Sequence, residues 1–326
     1  MKNTHILGDS DNNRISRYDK DLARKLNEET EKQIRQEEIE RRKRELEEKR
    51  KKKIKENEVL PSPGTETSPI TLPTISPLSL DFKYAFFLGG EFGKQINEKV
   101  QEIYGFTESI SKVIYDDQNR VVTGSTPFYV TAVNEIFQEQ YLQFRTATQA
   151  DLEKIIKSYA LDLRGKYEDT SLVLRKKQNP NVYVAEDLFD QFKSRDLHLK
   201  EDSAYVIPLF TLKLRKDDSS EYKLSFDITD STIQNYFEAP ILLSTSGGYF
   251  NSVEMDEKIG LPTTVYFTEV AEFRKLGTRD SGLVRLFLGR SLVISSYDES
   301  LSGCFNDGRI VIVSNEDPSK LGVNIK

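Results

Sequence analysis

The chain has 326 residues, a formal net charge of −6, one cysteine and two histidines. A single cysteine, Cys304, excludes an internal disulfide, and one histidine outside the N-terminal tail, His198, leaves little for His-based acid–base schemes or His-rich metal sites. The polar N-terminus has no apolar core of a signal peptide and no run nears the roughly 20 apolar residues of a membrane span, so a cytoplasmic protein is expected.

In chain order the first predicted element is a long charged arm, residues 1–58. Ser16 to Asp19 fits a capping box, and from Lys20 to Glu58 the sequence is almost all Glu, Lys, Arg and Gln. Glu-to-basic pairs four apart recur, such as Glu31 with Arg35, Glu38 with Arg42 and Glu45 with Lys49, each worth roughly 0.2–0.5 kcal/mol in an isolated helix. The apolar residues Leu22, Leu26, Ile34, Ile39, Leu46 and Ile54 keep no a/d seam. A single solvated helix is therefore expected, with a weak coiled coil or plain disorder as the alternatives. Residues 19–40 carry −3, whereas residues 41–55 carry +7 through Arg41, Arg42, Lys43, Arg44, Lys49, Arg50, Lys51, Lys52, Lys53 and Lys55. Acid first and base last suits the helix dipole. The same basic stretch offers a patch for nucleic acid, a ribosome or an anionic lipid.

Residues 59–81 contain Pro61, Pro63, Pro69, Pro73 and Pro77, five of the chain's eleven prolines, among Ser and Thr. That is a semi-stiff Pro/Ser/Thr linker. Residues 1–58 hold 18 bases and 15 acids, which leaves −9 for the rest of the chain. An acidic body is poorly suited to grip phosphates over a wide face.

The body, residues 82–326, opens with a strand over Phe82–Leu88 and a turn at Gly89-Gly90. Helices follow at about 93–104 and 107–115. Thr126-Pro127 is a helix start with the apolar stripe Tyr129, Val133, Ile136, Phe137 and Tyr141 behind it. Thr148 with Asp151 opens another helix that stops near Gly165. The period then changes to alternation. Tyr222, Leu224, Phe226 and Ile228 fall on one face and Lys223, Ser225, Asp227 and Thr229 on the other, which predicts a half-buried strand. Phe210, Leu212 and Leu214 alternate just before it across the turn Asp217–Ser220, so the two form a hairpin, with a bulge or an edge at Pro208. Further strands are predicted near 171–175, 181–184, 239–244, 263–269, 283–288, 292–296 and 309–314, with short helices near 185–194 and 231–237. The class is α+β: a mainly antiparallel sheet, with several helices toward the N-terminal side of the body.

Chemistry is sparse. Gly89 to Lys94 lies where a phosphate loop would sit, yet Leu88 and Gln95 occupy positions that a Walker motif gives to Gly and Ser/Thr, so a tight turn is expected. The acids Glu254, Asp256 and Glu257, and Asp298, Glu299 and Asp307, lack calcium-loop spacing. Cys304 and His198 are not brought together by any pattern.

Arg145 ends an apolar stretch, Ser244, Thr245 and Ser246 end a predicted strand, and Glu269 and Glu272 lie on or after a later one. This order resembles the Arg…Ser-Thr-Ser…Glu arrangement of ADP-ribosyltransferases over about 130 residues. The resemblance implies that Arg145 holds the NAD pyrophosphate, Ser244–Ser246 shape the nicotinamide pocket, and Glu269 stabilises an oxocarbenium-like transition state. The chain departs from that family in having no Glu-x-Glu or Gln-x-Glu there. The plain alternative is a salt-bridged Arg145 and a turn at Ser244–Ser246 before Gly247-Gly248. The segments Arg145–Lys154, Leu161–Arg175, Ser281–Leu286 and Gly308–Ser314 also look like a group of uncharacterised archaeal proteins, which implies a prokaryotic cytoplasmic setting and no activity.

Without a catalytic constellation, the leading reading is a binding or scaffold protein: an acidic α+β module on a charged arm, with a protein partner and no cofactor. Nucleic acid is expected only through the arm. An NAD-using transferase centred on Arg145 is the enzymatic alternative.

Overall fold

The computed structural model describes residues 82–321 apart from 142, 177, 198, 201, 210, 215–221, 229–235, 244–246 and 280–281, all within the unit Ser68–Lys326. The expectations for the arm, the basic stretch and the linker lie outside these residues. So do those for His198, Ser244–Ser246, the Asp217–Ser220 turn and most of the 231–237 helix.

In chain order the elements are β1 (Tyr84–Phe87), α1 (Gly90–Tyr104), α2 (Glu108–Ser111), β2 (Ile114–Asp116), β3 (Val121–Thr123), α3 (Pro127–Gln140), β4 (Phe144–Thr146), α4 (Gln149–Ser158), β5 (Glu168–Arg175) and α5 (Val182–Ser194). Then come β6 (Ala204–Pro208), β7 (Leu212–Leu214), β8 (Leu224–Phe226), β9 (Phe237–Glu238), β10 (Gly248–Phe250), β11 (Met255–Asp256), β12 (Leu261–Pro262), β13 (Arg274–Thr278), β14 (Val284–Leu288), β15 (Ile294–Ser296) and β16 (Val311–Ser314). The α+β class holds: five helices lie between Gly90 and Ser194, and a seven-stranded sheet of order β10-β13-β15-β14-β5-β6-β9 is antiparallel except for β13 with β15. A second sheet has the order β1-β16-β4. Among the described residues, no helix is long and apolar enough to cross a membrane.

Local chemistry accounts for the helix starts. Thr126 accepts the Tyr129 amide ahead of Pro127, which needs no partner for its nitrogen. At α4, Thr148 and Asp151 form a reciprocal capping box. That helix ends at Ser158 rather than near Gly165, because Tyr159 turns left-handed at φ 55°.

Two apolar cores share the seven-stranded sheet. The first is built on α1, α3, α5 and the β7–β8 hairpin. Phe128 lies against Tyr222 and Phe226, with ring centroids 5.1 and 4.8 Å apart. The second lies on the other side of β14 and takes in α4 and the β10–β13 edge. The three-stranded sheet sits between them: Phe86 and Ile312 join the first core, and Phe87, Val311 and Val313 pack in the second. Residues 310–313 therefore read as an unbroken apolar run, as a strand buried on both faces should.

Several sequence expectations are corrected. The 107–115 helix is only Glu108–Ser111; Ile114–Asp116 pairs instead with Val121–Thr123, where Asp116 accepts the Gln118 and Asn119 amides to close the turn. The 181–184 strand is the first turn of α5. The hairpin of β7 and β8 is present, but Pro208 ends β6 of the seven-stranded sheet and is not a bulge or an edge in the hairpin's first strand. Ser225 is buried beneath α5 and donates to Asp187, which removes the solvent face expected of the 222–229 strand. The 239–244 strand is a one-turn 3-10 helix, Pro240–Leu243, after the short β9. Over 263–269 the backbone makes a single bridge, Tyr249 to Tyr266, and the true strand of that region, β13, carries no regular alternation.

Candidate functional site

The seven-stranded sheet has one fully covered face and one face left partly open. Directly paired residues share a face, so the registers sort the side chains. Val284 and Leu286 on β14 point into the second core with Val173, whereas Arg285 pairs with Leu172 and Phe287 with Asp169 on the opposite face. Over β5 that opposite face is covered by the first core through Leu172 and Leu174. Over β15 and β13 it continues as Ser295, Gly277 and Lys275, where a groove of about 740 Å³ opens.

Its floor is a buried ion pair. Arg285 is 1% exposed and its partner Asp169 is buried with it. The guanidinium has five N–H groups. Nε donates to Asp169 Oδ1 at 2.6 Å, one Nη to the Gly303 and Ser300 carbonyls, and the other to Asp169 Oδ2 and the Ser125 carbonyl. Asp169 also accepts from the Ser125 hydroxyl at 2.7 Å. Arg285 thus clamps the 298–305 loop onto the sheet, and the Asp298 carboxylate stands 3.6 Å from it. Its cation also lies 5.4 and 5.3 Å from the ring centres of Tyr167 and Phe287.

Aromatic rings form the walls. Tyr167 meets Phe287 and Phe305 edge to face, and Phe287 meets Tyr297 likewise, each at 6.2 Å. Tyr167 accepts the Phe305 amide at 2.9 Å and donates to the Ser125 carbonyl. Burial first, and then Asp169, push its phenol well above the ordinary range, so it stays protonated. Gly277 makes room for the Tyr297 ring: a Cβ there would come within 3.0 Å of two ring carbons.

Beside this floor are two further unusual groups. Glu168 is buried and neither carboxylate oxygen has a hydrogen-bond partner. Burial above all, and next the Asp169 charge, hold it well above the usual carboxylate range. Cys304 is part-buried behind Gly124, whose φ of 94° and contact with Sγ leave no space for a side chain, and burial raises its thiol.

Of the residues singled out from sequence, Asp298 lines the groove and the others fall elsewhere. Arg145 lies on β4 and pairs with Asp151, the same buried carboxylate that caps α4. Ser244, Thr245 and Ser246 lie outside the described residues, and Glu269 is exposed in a loop. A different arginine, the buried Arg175, donates to the Leu242 carbonyl and to the hydroxyls of Thr278 and Ser296. The Gly89-Gly90 turn is tied to Val121 and Arg120, and Glu91 is exposed there. The acid clusters are dispersed among separate partners: Glu254 accepts from Tyr266, Glu299 pairs with Arg279 and Asp307 with Arg290. Among the described residues no group of three or more His, Cys, Asp or Glu is placed to hold a metal ion.

None of the groove residues was found by motif. The signal available was a lone arginine inside the apolar run Leu283-Val284-Arg285-Leu286-Phe287-Leu288, which a buried strand tolerates only with a buried partner. Comparison with family models, with curated proteins and with solved structures finds no match to this chain.

Proposed function

We propose that the body is a ligand-binding module whose binding surface is the groove over β13, β15 and β14. The observation that carries this reading is a concave, aromatic-walled opening on a sheet face that is otherwise sealed, resting on a floor whose polar groups are already satisfied. Its size, about 740 Å³, falls in the range of small-molecule pockets. Arg285 has all of its N–H groups bonded to protein acceptors, so it holds the shape of the site and leaves recognition to the rim. Tyr297 and Phe305, about half exposed, are the surfaces presented to a ligand.

N-phenyl-1-naphthylamine, a neutral fluorescent probe with flat rings, tests the reading. One saturable site per folded chain is expected, weakened in Phe305→Ala and in Tyr297→Ala. Both side chains are exposed enough for the fold to survive their removal. No saturable binding by the wild type, or binding by both variants as tight as that of the wild type, would overturn the assignment.

A further inference from the structure

We infer that the groove is selective for a planar aromatic acid, one flat ring system bearing a single anionic group, with the anion at Lys275. This rests on the groove being a binding site and adds the chemistry of what it takes.

The groove is polarised along its length. In the parallel register of β13 and β15, Leu276 faces Ile294 and Gly277 faces Ser295, which sets Lys275 level with Val293. Lys275 therefore lies toward the β14–β15 turn, where Arg290 and Ser291 also line the groove. Asp298, the carboxylate of the lining, follows Tyr297 at the opposite end, beside Arg285.

The cations are not equivalent. Asp169 occupies Arg285, and Asp307 holds Arg290 in a two-point pair. Lys275 is exposed and makes no ion pair with any described carboxylate. Among the described residues it is the lining cation with its charge uncommitted, and Ser291 lines the groove at the same end.

The middle of the groove is flat and apolar. Tyr297 lies over Gly277, where the missing side chain keeps the floor low, and Phe287 and Tyr167 continue the wall toward Phe305. A ring stacked on Tyr297 or Phe305 covers exposed aromatic surface. One substituent charge then reaches Lys275. A polyanion such as single-stranded nucleic acid is the poorer match, because one free cation among the described lining residues and a body of net −7 give little counterion release.

A matched pair of probes tests this. 1-Anilinonaphthalene-8-sulfonate is N-phenyl-1-naphthylamine with one added sulfonate. On the folded full-length chain it should bind about tenfold or more tightly than the neutral parent, the gain of one charge-assisted contact. Lys275→Met, which keeps the length of an exposed side chain, should bring the two probes to similar affinity by weakening the sulfonate. Phe305→Ala should weaken both. If the neutral probe binds and the sulfonate adds nothing, or if its advantage persists in Lys275→Met, the acid selectivity is wrong while the binding site stands. Binding by neither probe overturns both. An oligonucleotide displacing the sulfonate at physiological salt would replace the aromatic acid with a polyanion as the ligand.

Discussion

Asp169→Asn isolates the clamp beneath the groove. The substitution keeps the size of the side chain but turns one of two acceptors into an NH2 group, aimed at an Arg285 nitrogen that also donates. The charge of Arg285 stays behind, 1% exposed, with only neutral carbonyls around it and Asp298 3.6 Å away. Breaking a buried pair from one side costs about 3–5 kcal/mol. At roughly 2–4 °C per kcal/mol for a domain of this size, the melting temperature should fall by about 6–20 °C. A second readout separates loosening of the loop from global loss of stability. Arg285 holds the Ser300 and Gly303 carbonyls, and Cys304, the only cysteine of the chain, follows directly. Thiol labelling well below the melting transition should therefore be faster in Asp169→Asn than in a core variant of matched stability. The double variant Asp169→Leu with Arg285→Met should recover part of the loss, because it leaves no buried charge behind. A loss under about 1 kcal/mol, or labelling no faster than in the matched control, would refute the clamp.

Two further substitutions probe the surroundings. Glu168 carries its proton in the folded state over a pH range where the unfolded chain releases it, so stability should decline as pH rises through the ordinary carboxylate range and level off above the raised folded value. Glu168→Gln should match the wild type near about pH 3 and exceed it near about pH 7; parallel melting curves at both would show that the carboxyl is not desolvated. Arg145→Ala leaves Asp151 its bonds to Thr148, so it should cost about 1–2 kcal/mol, discounted for the partial exposure of the arginine. NAD should stabilise neither protein in a thermal shift. NAD stabilisation of the wild type that is lost in Arg145→Ala would establish the transferase alternative instead.

What could be read along the chain was what local chemistry determines. Thr126-Pro127 and Thr148 with Asp151 mark their helices because capping needs only residues within one turn. The β7–β8 hairpin and the β14, β15 and β16 strands were visible as apolar runs or alternation. Misreadings came where tertiary cover overrode local pattern: Ser225 looks solvent-facing until α5 lies on it, and Val182–Val184 read as a strand until a helix follows without a break. β13 could not be recognised, because Arg274 and Lys275 are charged for reasons that lie elsewhere in the chain. Arg274 pairs with Glu153 on α4, and Lys275 lines the groove.

The groove was illegible for a related reason. Its parts come from β5, β13, β14, β15 and the 298–305 loop, and no two of its chemical groups keep a motif's spacing. What the sequence does carry is a set of violations of binary pattern. Glu168 and Asp169 open a fully buried strand, Arg175 closes it, and Arg285 interrupts another. Each has a different answer in three dimensions: Asp169 and Arg285 neutralise each other, Arg175 is held on carbonyls and hydroxyls, and burial holds the Glu168 carboxyl well above the usual carboxylate range. A buried strand that carries three ionisable residues does not arise from packing needs alone, since apolar residues of similar volume would stabilise the sheet as well or better. The clamp is therefore best explained by what it positions. Without Asp169 and Arg285 the seven-stranded sheet could still pair, but Phe305 and Tyr297 would have no fixed loop between them, and the open face would lose its walls.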